Sequence, residues 1–214
     1  MLLNDPLAHW LIVSMAVLVV VGELVATLLG NARDGKRLVS GGLADAFLLY
    51  TRNRGTGVRK DRGTRLIFAL GCYLSIIAAI AIAKVPGLRS GANNWWTFGL
   101  GLGLVLAGVV LRGWAIFSLG RYFRRTVTIE PEQRLVRRGP YRLLRHPSYT
   151  GLLLVFVGFG LAIGSWVGAV AALLIGFAGT LPRIRVEEAA LAEKFGDDYT
   201  DYANSTDRLV PHVW

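Results

Sequence analysis

The chain has 214 residues, a net charge of +10 and 53% hydrophobic residues, and its mean hydropathy is +0.47. This composition is too apolar for an ordinary soluble domain and indicates a membrane protein. The single cysteine, Cys72, excludes an intramolecular disulfide and a cysteine-based metal cluster. In a soluble chain the positive charge would suggest a nucleic-acid partner. Here it is concentrated in two loops, which favours membrane topology as its origin and no nucleic acid as a partner.

Apolar runs at residues 7–29, 66–85 and 95–117 are each long enough to cross a hydrocarbon core of roughly 30 Å. A fourth run, 152–181, is too long for one untilted span and is interrupted near Gly164. We expect it to form two helices joined by a tight turn, which gives an all-α integral membrane protein of about five transmembrane helices. Glycines would let helices pack closely. They are Gly160, Gly164 and Gly168 in this hairpin and Gly99, Gly101, Gly103 and Gly108 in the preceding helix, where Gly99 and Gly103 have the four-residue spacing.

Two basic loops follow from this division. Residues 31–65 carry nine Lys/Arg against three Asp, and residues 118–149 carry eight Arg against two Glu. Because positively charged loops stay in the cytoplasm, both lie on that side together with the C-terminal tail. We expect a plasma-membrane protein, by composition of a bacterial inner membrane, with its active side towards the cytoplasm. Residues 1–117 would supply three membrane helices and the basic loop 31–65, and residues 118–214 the catalytic region.

Several polar groups on that side have the residue types of a binding site. Arg183 and Glu187 are four residues apart, so they share one face of a helix that leaves the membrane. They form either a surface ion pair, which contributes little, or a site in which the planar arginine binds a carboxylate or phosphate. His146, before Pro147, is an acid or base, a hydrogen-bond partner or a structural residue. No second histidine is close to it in sequence, so we expect no metal site.

Short runs with ordered spacing extend over about residues 120–212. The first are 133–136 (Gln-Arg-Leu-Val), 139–141 (Gly-Pro-Tyr) and 145–151 (Arg-His-Pro-Ser-Tyr-Thr-Gly). The later members are Arg183, Glu187, Glu188, Leu191, Phe195, Gly196, Tyr199 and the run 208–211. Together they resemble the signature of the isoprenylcysteine carboxyl methyltransferase family. The first 117 residues resemble that family only in being membrane helices.

The resemblance implies a membrane enzyme that transfers a methyl group from S-adenosylmethionine to a lipophilic acceptor from the bilayer, most simply a carboxylate of the isoprenylcysteine type. It implies a cytosolic loop and a C-terminal helix that enclose the cofactor, with Arg183 as the catalytic residue that meets the acceptor carboxylate. The implied cofactor-binding residues are Gln133, Arg134, Leu135, Val136, Tyr141, His146, Pro147, Ser148, Tyr149 and Glu187. Many members of the family have histidine in place of Gln133. Glutamine still forms hydrogen bonds but cannot carry a positive charge.

Three other functions stay open at this stage. The first is N-methylation of a phospholipid amine, as in related phospholipid methyltransferases. The second is an NADPH-dependent membrane oxidoreductase, because sterol reductases have a similar C-terminal pattern. The third is a membrane scaffold whose basic loops bind anionic lipid, which leaves the spacing of Arg183 and Glu187 unexplained. The acceptor itself is a small prenylated thiol, a lipid acid or another membrane metabolite.

Overall fold

The computed structural model describes residues 58–59, 63–85, 87–88, 95–123, 128–129, 132–211 and 213. Its helices are α1 (Thr64–Lys84), α2 (Trp95–Leu119), α3 (Pro147–Ala162), α4 (Trp166–Phe195) and α5 (Asp197–Asn204). Two-residue strands, β1 (Val58–Arg59) and β2 (Thr128–Ile129), pair antiparallel, and 3-10 turns span Gly120–Tyr122 and Gly139–Arg142. The predicted all-α class is confirmed. The predicted helix at 7–29 and most of the loop 31–65 lie outside the described residues.

Three of these helices, α1, α2 and α4, are long and apolar enough to cross a membrane. The first two begin and end within a few residues of the predicted runs at 66–85 and 95–117. The 16-residue α3 is shorter and covers about 24 Å at 1.5 Å per residue. It begins at Pro147, earlier than the predicted run at 152, because proline at the first helical position lacks only an N–H that would have no partner there.

The predicted hairpin is formed by α3 and α4, which are joined by a turn at residues 163–165. Gly164 makes the turn with φ of 83°, a left-handed conformation that glycine adopts without strain. Ser165 caps α4, and its hydroxyl accepts a hydrogen bond from the N–H of Gly168 at 2.9 Å. A Cβ at Gly160 would collide with the backbone of Ala169. Gly160 thus has the predicted close-packing role, whereas Gly164 serves the turn.

The last membrane helix continues without a break into the polar end of the molecule. Pro182 lies inside the 30-residue α4. Proline removes one backbone hydrogen bond from a helix interior, and here it stands where the helix changes from apolar to charged. Gly196, with φ of 53°, ends α4, and the short α5, which we did not predict, follows it.

Glycines of α2 bring it against α3. A Cβ at Gly101 would lie 2.5 Å from the amide nitrogen of Ala162, and a Cβ at Gly108 would collide with the carbonyl of Gly151. A Cβ added at Gly99 or Gly103 would meet no other part of the described chain within 4 Å, so the predicted pair makes no contact with the described helices. The reason is helical periodicity: positions 101 and 108 share one face, whereas 99 and 103 lie on the opposite side.

The C-terminal tail is tied to the loop that precedes α3. The N–H of Arg145 donates to the carbonyl of Asp207 at 2.7 Å, and the N–H of His146 donates to that of Arg208 at 3.1 Å. Glu188 of α4 joins the same segments. Its carboxylate lies 3.2 Å from Arg145 Nε, 3.2 Å from His146 Nε2 and 2.9 Å from Arg208 Nη2. One carboxylate therefore holds the loop and the tail on the polar end of α4.

Two tyrosines of α5 are buried with different hydrogen bonding. The Tyr202 hydroxyl donates to the carbonyl of Tyr141 at 2.8 Å, which adds a further tie to the loop. The Tyr199 hydroxyl has no hydrogen-bond partner among the described residues. Burial raises the pKa of Tyr202 to about 12, because the phenolate would lose its hydration. The folded protein therefore keeps Tyr202 neutral and donating.

The glycine contacts predict the effect of single methyl groups. Gly101→Ala should lower the stability of the detergent-solubilised protein by about 1–3 kcal/mol, because the added methyl collides with α3. Gly103→Ala is the matched control and should be neutral or stabilising by up to about 1 kcal/mol, since alanine favours helix. Thermal unfolding followed by circular dichroism measures both. Equal losses from the two variants would contradict this packing.

The α5 tyrosines predict different responses to loss of a hydroxyl. Tyr202→Phe should destabilise the protein by about 1–2 kcal/mol, because buried carbonyls lose a donor, whereas Tyr199→Phe should change little. A raised pKa gives stability that is complete below the unfolded value of about 10. That stability is lost as the pH rises towards about 12. Thermal midpoints between pH 8 and pH 12 should fall less steeply in Tyr202→Phe, and a profile identical to wild type would argue against this role.

Candidate active site

A cleft opens where the end of α2, the loop before α3 and the polar half of α4 meet. Ten of the residues that the family resemblance assigns to the site line it: Gln133, Arg134, Leu135, Val136, Tyr141, His146, Ser148, Tyr149, Arg183 and Glu187. The remaining one, Pro147, is fully buried at the start of α3. The structure thus brings these residues together around one space, and their individual roles stay predictions.

Local sequence shapes the loop wall of the cleft. Residues 133–137 belong to no helix or strand, so their backbone N–H and C=O groups can be offered to a ligand. Gly139, with φ of 60°, turns the chain, and a side chain there would meet Ser118 Oγ at 2.5 Å. Pro140 then starts the 3-10 turn that carries Tyr141 to the cleft. Gly139 and Pro140 therefore fix where the loop bends under α2.

A hydrogen-bonded chain joins the two predicted polar residues of α4. Arg183 Nε donates to the hydroxyl of Tyr149 at 2.7 Å, and that hydroxyl donates to Glu187 Oε2 at 3.1 Å. Arg183 is only 4% exposed, so the alternative of a simple surface ion pair is wrong. A buried guanidinium needs compensating partners, and Tyr149 and Glu187 provide a neutral acceptor and a nearby negative charge.

Tyr141 is a second hydroxyl of the cleft and is 7% exposed. Burial, and after it the negative charge of Glu187, holds the pKa of Tyr141 well above its usual value of 10.0. The phenol therefore stays protonated at physiological pH. It offers a ligand a neutral hydrogen-bond donor and an aromatic face, and it does not act as a base.

Arg112 of α2 supports the cleft from behind. Its Nη1 donates to Ser148 Oγ at 2.7 Å and to the Ser148 carbonyl at 3.2 Å. The first turn of α3, which carries both Ser148 and Tyr149, is thereby held against α2. From sequence, Arg112 could extend towards the membrane interface or line a cavity. In the structure it acts on the cleft indirectly, because it fixes Ser148, which lines the cleft.

His146 lines the cleft, and its ring nitrogen Nε2 contacts the carboxylate of Glu188. It is 4% exposed, and its Nε2 lies 3.2 Å from Glu188 Oε1. The ring centroid lies 5.7 Å from that of Tyr149. Of the roles considered from sequence, a hydrogen-bond partner within the wall fits these contacts. In the described ranges no group of three or more His, Cys, Asp or Glu is arranged to hold a metal ion.

The remaining lining residues were not predicted to belong to the site: Leu119, Tyr122, Phe123, Arg145, Leu191 and Tyr202. Arg145 and Leu191 stand inside the quoted motifs, which was a usable signal. Tyr122 and Phe123 follow directly on an apolar helix, where aromatic residues read equally well as interfacial anchors. The arrangement as a whole offers a fixed cation, a carboxylate, neutral hydroxyls and aromatic rings. It can hold a zwitterionic ligand and orient an anionic one.

The sequence of this chain is similar to those of known methyltransferases. Residues 96–198 match the family model of phospholipid methyltransferases. Protein-S-isoprenylcysteine O-methyltransferase B of Arabidopsis thaliana is 34% identical over 149 residues, which are 68% of this chain and 74% of that protein. Protein-S-isoprenylcysteine O-methyltransferase A of the same plant is 36% identical over the same length and shares of the two chains.

The fold is also similar to a solved structure of a eukaryotic intramembrane Ras methyltransferase, isoprenylcysteine carboxyl methyltransferase. The TM-score is 0.69 at 23% sequence identity, and the match covers 99% of this chain and 70% of that one. The likeness extends over the apolar helices as well as the motif region. The predicted resemblance is thus confirmed, and the chain belongs to the isoprenylcysteine carboxyl methyltransferase family of integral membrane methyltransferases.

Proposed function

We propose that this methyltransferase uses S-adenosylmethionine to methylate the carboxylate of a lipophilic, isoprenylcysteine-type acceptor. The observation that carries the proposal is the buried Arg183, joined through Tyr149 to Glu187 on one wall of the cleft. We place the reaction at the cytoplasmic face of a bacterial inner membrane, because the basic loops favour that orientation. Residues 118–214 form the catalytic region, and residues 1–117 supply membrane helices.

The side chains around the cleft fit this cofactor by their chemistry. Glu187 would bind its ammonium group or its ribose hydroxyls, and Arg134 its carboxylate. Tyr141 and Tyr149 offer aromatic faces, which attract cationic and planar groups. Gln133 would donate or accept a hydrogen bond without adding charge. The other predicted contacts, from Leu135, Val136, His146, Pro147 and Ser148, would enclose the ligand.

The protein's part in the reaction is alignment and exclusion of water. When bound, S-adenosylmethionine supplies a methyl group on a positively charged sulfur, and transfer to a carboxylate oxygen leaves a neutral thioether. A carboxylate is already a nucleophile, so the site needs no strong base. Arg183 would bind the acceptor carboxylate with its planar fork and fix the direction of attack. Tyr149 would keep that fork in place, and the burial of the arginine keeps water from competing.

The acceptor class follows from charge and from the relatives' names. A buried arginine attracts a carboxylate and repels an ammonium group. The Arabidopsis relatives are named for protein-S-isoprenylcysteine, and we infer an isoprenylcysteine carboxylate, on a protein or on a small prenylated thiol. The match to phospholipid methyltransferases favours a second candidate, N-methylation of a phospholipid amine. That reaction needs the neutral amine, so its rate would rise steeply with pH through the amine's pKa.

Ligand binding separates the enzyme classes. In detergent, S-adenosylmethionine and S-adenosylhomocysteine should raise the thermal midpoint by roughly 5–10 °C at about 100 times their dissociation constants. NADPH should leave it unchanged. Glu187→Gln should weaken both shifts, whereas Glu193→Gln, on the exposed side of α4, should not. A shift with NADPH alone would indicate an oxidoreductase, and no shift with any of the three would favour a scaffold.

The role of Arg183 predicts a division between turnover and binding. Arg183→Ala should lower kcat for N-acetyl-S-farnesylcysteine about a hundredfold or more, because the acceptor loses its alignment, while cofactor affinity changes little. Arg185→Ala is the matched control, since that arginine is exposed on the same helix. A radiolabel transfer assay and calorimetry measure the two quantities. Equal loss of turnover and of cofactor affinity in Arg183→Ala would refute the division.

A further inference from the structure

An aromatic ring from α1 touches the polar chain of the site. The guanidinium carbon of Arg183 lies over the ring of Phe68, 5.4 Å from its centroid. The same ring meets Tyr149 edge-on, with centroids 5.7 Å apart and planes at 63°. One apolar side chain therefore contacts both Arg183 and the tyrosine that accepts its Nε–H. Phe68 stands outside the catalytic region 118–214 and outside every motif of the sequence.

Close helix packing sets the position of this ring. A Cβ at Gly71 would lie 2.7 Å from the Cα of Gly179, and a Cβ at Gly179 would lie 2.8 Å from the Cα of Gly71. The backbones of α1 and α4 therefore touch where these two glycines cross. Phe68 is one helical turn from Gly71, and Arg183 is one turn from Gly179. The crossing thus carries Phe68 to Arg183 through two short, rigid helical segments.

The contact suits a buried cation. A guanidinium over an aromatic face is attracted by the ring's electron-rich surface, and the attraction grows when water is excluded. Arg183 is 4% exposed, so the ring replaces part of the hydration that the cation has lost. A ring face restrains the plane of the guanidinium without using any of its N–H donors. The Nε–H can therefore donate to Tyr149 while the ring lies against the guanidinium.

We propose that Phe68 is a positioning residue for methyl transfer: it holds the Arg183 guanidinium and the Tyr149 ring in one orientation, so that the acceptor carboxylate is met by a preset fork. This inference rests on the proposed function. It adds that a residue of the N-terminal membrane helices determines how productively the acceptor binds. Loss of the ring should affect the cofactor much less than the acceptor, because Glu187 and most of the loop 133–149 do not depend on Phe68.

Kinetics of three variants test the proposal. Phe68→Leu, which keeps a large apolar side chain and loses the ring, should lower kcat/KM for N-acetyl-S-farnesylcysteine about tenfold, with a raised KM for the acceptor. Affinity for S-adenosylhomocysteine by calorimetry should stay within about twofold. Phe68→Tyr, which restores an aromatic face, should recover kcat/KM to within about threefold of wild type. Leu70→Ala, half exposed on the same helix, is the control and should match wild type.

A second readout is independent of activity. In protein labelled with ¹⁵N-arginine, the Nε–H resonance of Arg183 is identified by its loss in Arg183→Lys. The ring current of Phe68 should displace this resonance, so it should move in Phe68→Leu and stay near its original place in Phe68→Tyr. An unmoved resonance together with unchanged kcat/KM in Phe68→Leu would overturn the proposal. So would failure of Phe68→Tyr to restore both. If the wild type methylates no carboxylate acceptor, the proposed function fails, and the resonance still decides whether Phe68 holds Arg183.

Discussion

The buried positive charge of Arg183 is the constraint on which the rest of the polar end depends. A guanidinium withdrawn from water costs several kcal/mol unless neighbours compensate it, on the order of the penalties known for buried ions. Here Tyr149 accepts its Nε–H at 2.7 Å, and Phe68 lies beneath its guanidinium carbon. These partners come from α3 and α1, while the arginine comes from α4. The three helices must therefore meet at one point, and two of the residues that meet there, Arg183 and Tyr149, line the cleft.

The carboxylate of Glu188 holds neighbouring segments of the polar end together. Glu188 holds Arg145, His146 and Arg208 within hydrogen-bond or ion-pair distance, so the loop, the tail and α4 form one unit. The neighbouring Glu187 is turned towards the cleft and Tyr149 instead. Two adjacent glutamates thus have different surroundings: Glu188 joins the loop and the tail, and Glu187 lines the cleft. The first turn of α3 is secured from a third direction, since Arg112 donates to Ser148.

Sequence predicted the parts that depend on local spacing. The four-residue interval of Arg183 and Glu187 placed both on one face of α4, and the interruption at Gly164 gave the hairpin turn. The motif residues from Gln133 to Tyr149 were expected around a common pocket because the family resemblance groups them.

The parts that sequence missed depend on which faces meet across long separations. Gly99 and Gly103 have the favoured spacing but face away from α3, because spacing does not say which side of a helix finds a partner. The crossing of Gly71 and Gly179, and with it the contact between Phe68 and Arg183, joins helices that are distant in sequence. The helix α5 was missed because it has only eight residues and most of them are polar. Its buried side chains are Tyr199 and Tyr202.

The most direct test of the central claim is the affinity of N-acetyl-S-farnesylcysteine compared with that of its primary amide, measured by calorimetry in the presence of S-adenosylhomocysteine. The two ligands have nearly the same shape and differ in the charge that Arg183 would bind. The wild type should bind the acid at least about tenfold more tightly than the amide, as expected for one charge-assisted contact in a buried site. Arg183→Ala should abolish that preference. Equal affinity of the wild type for acid and amide would contradict the role of Arg183 as the acceptor-binding residue.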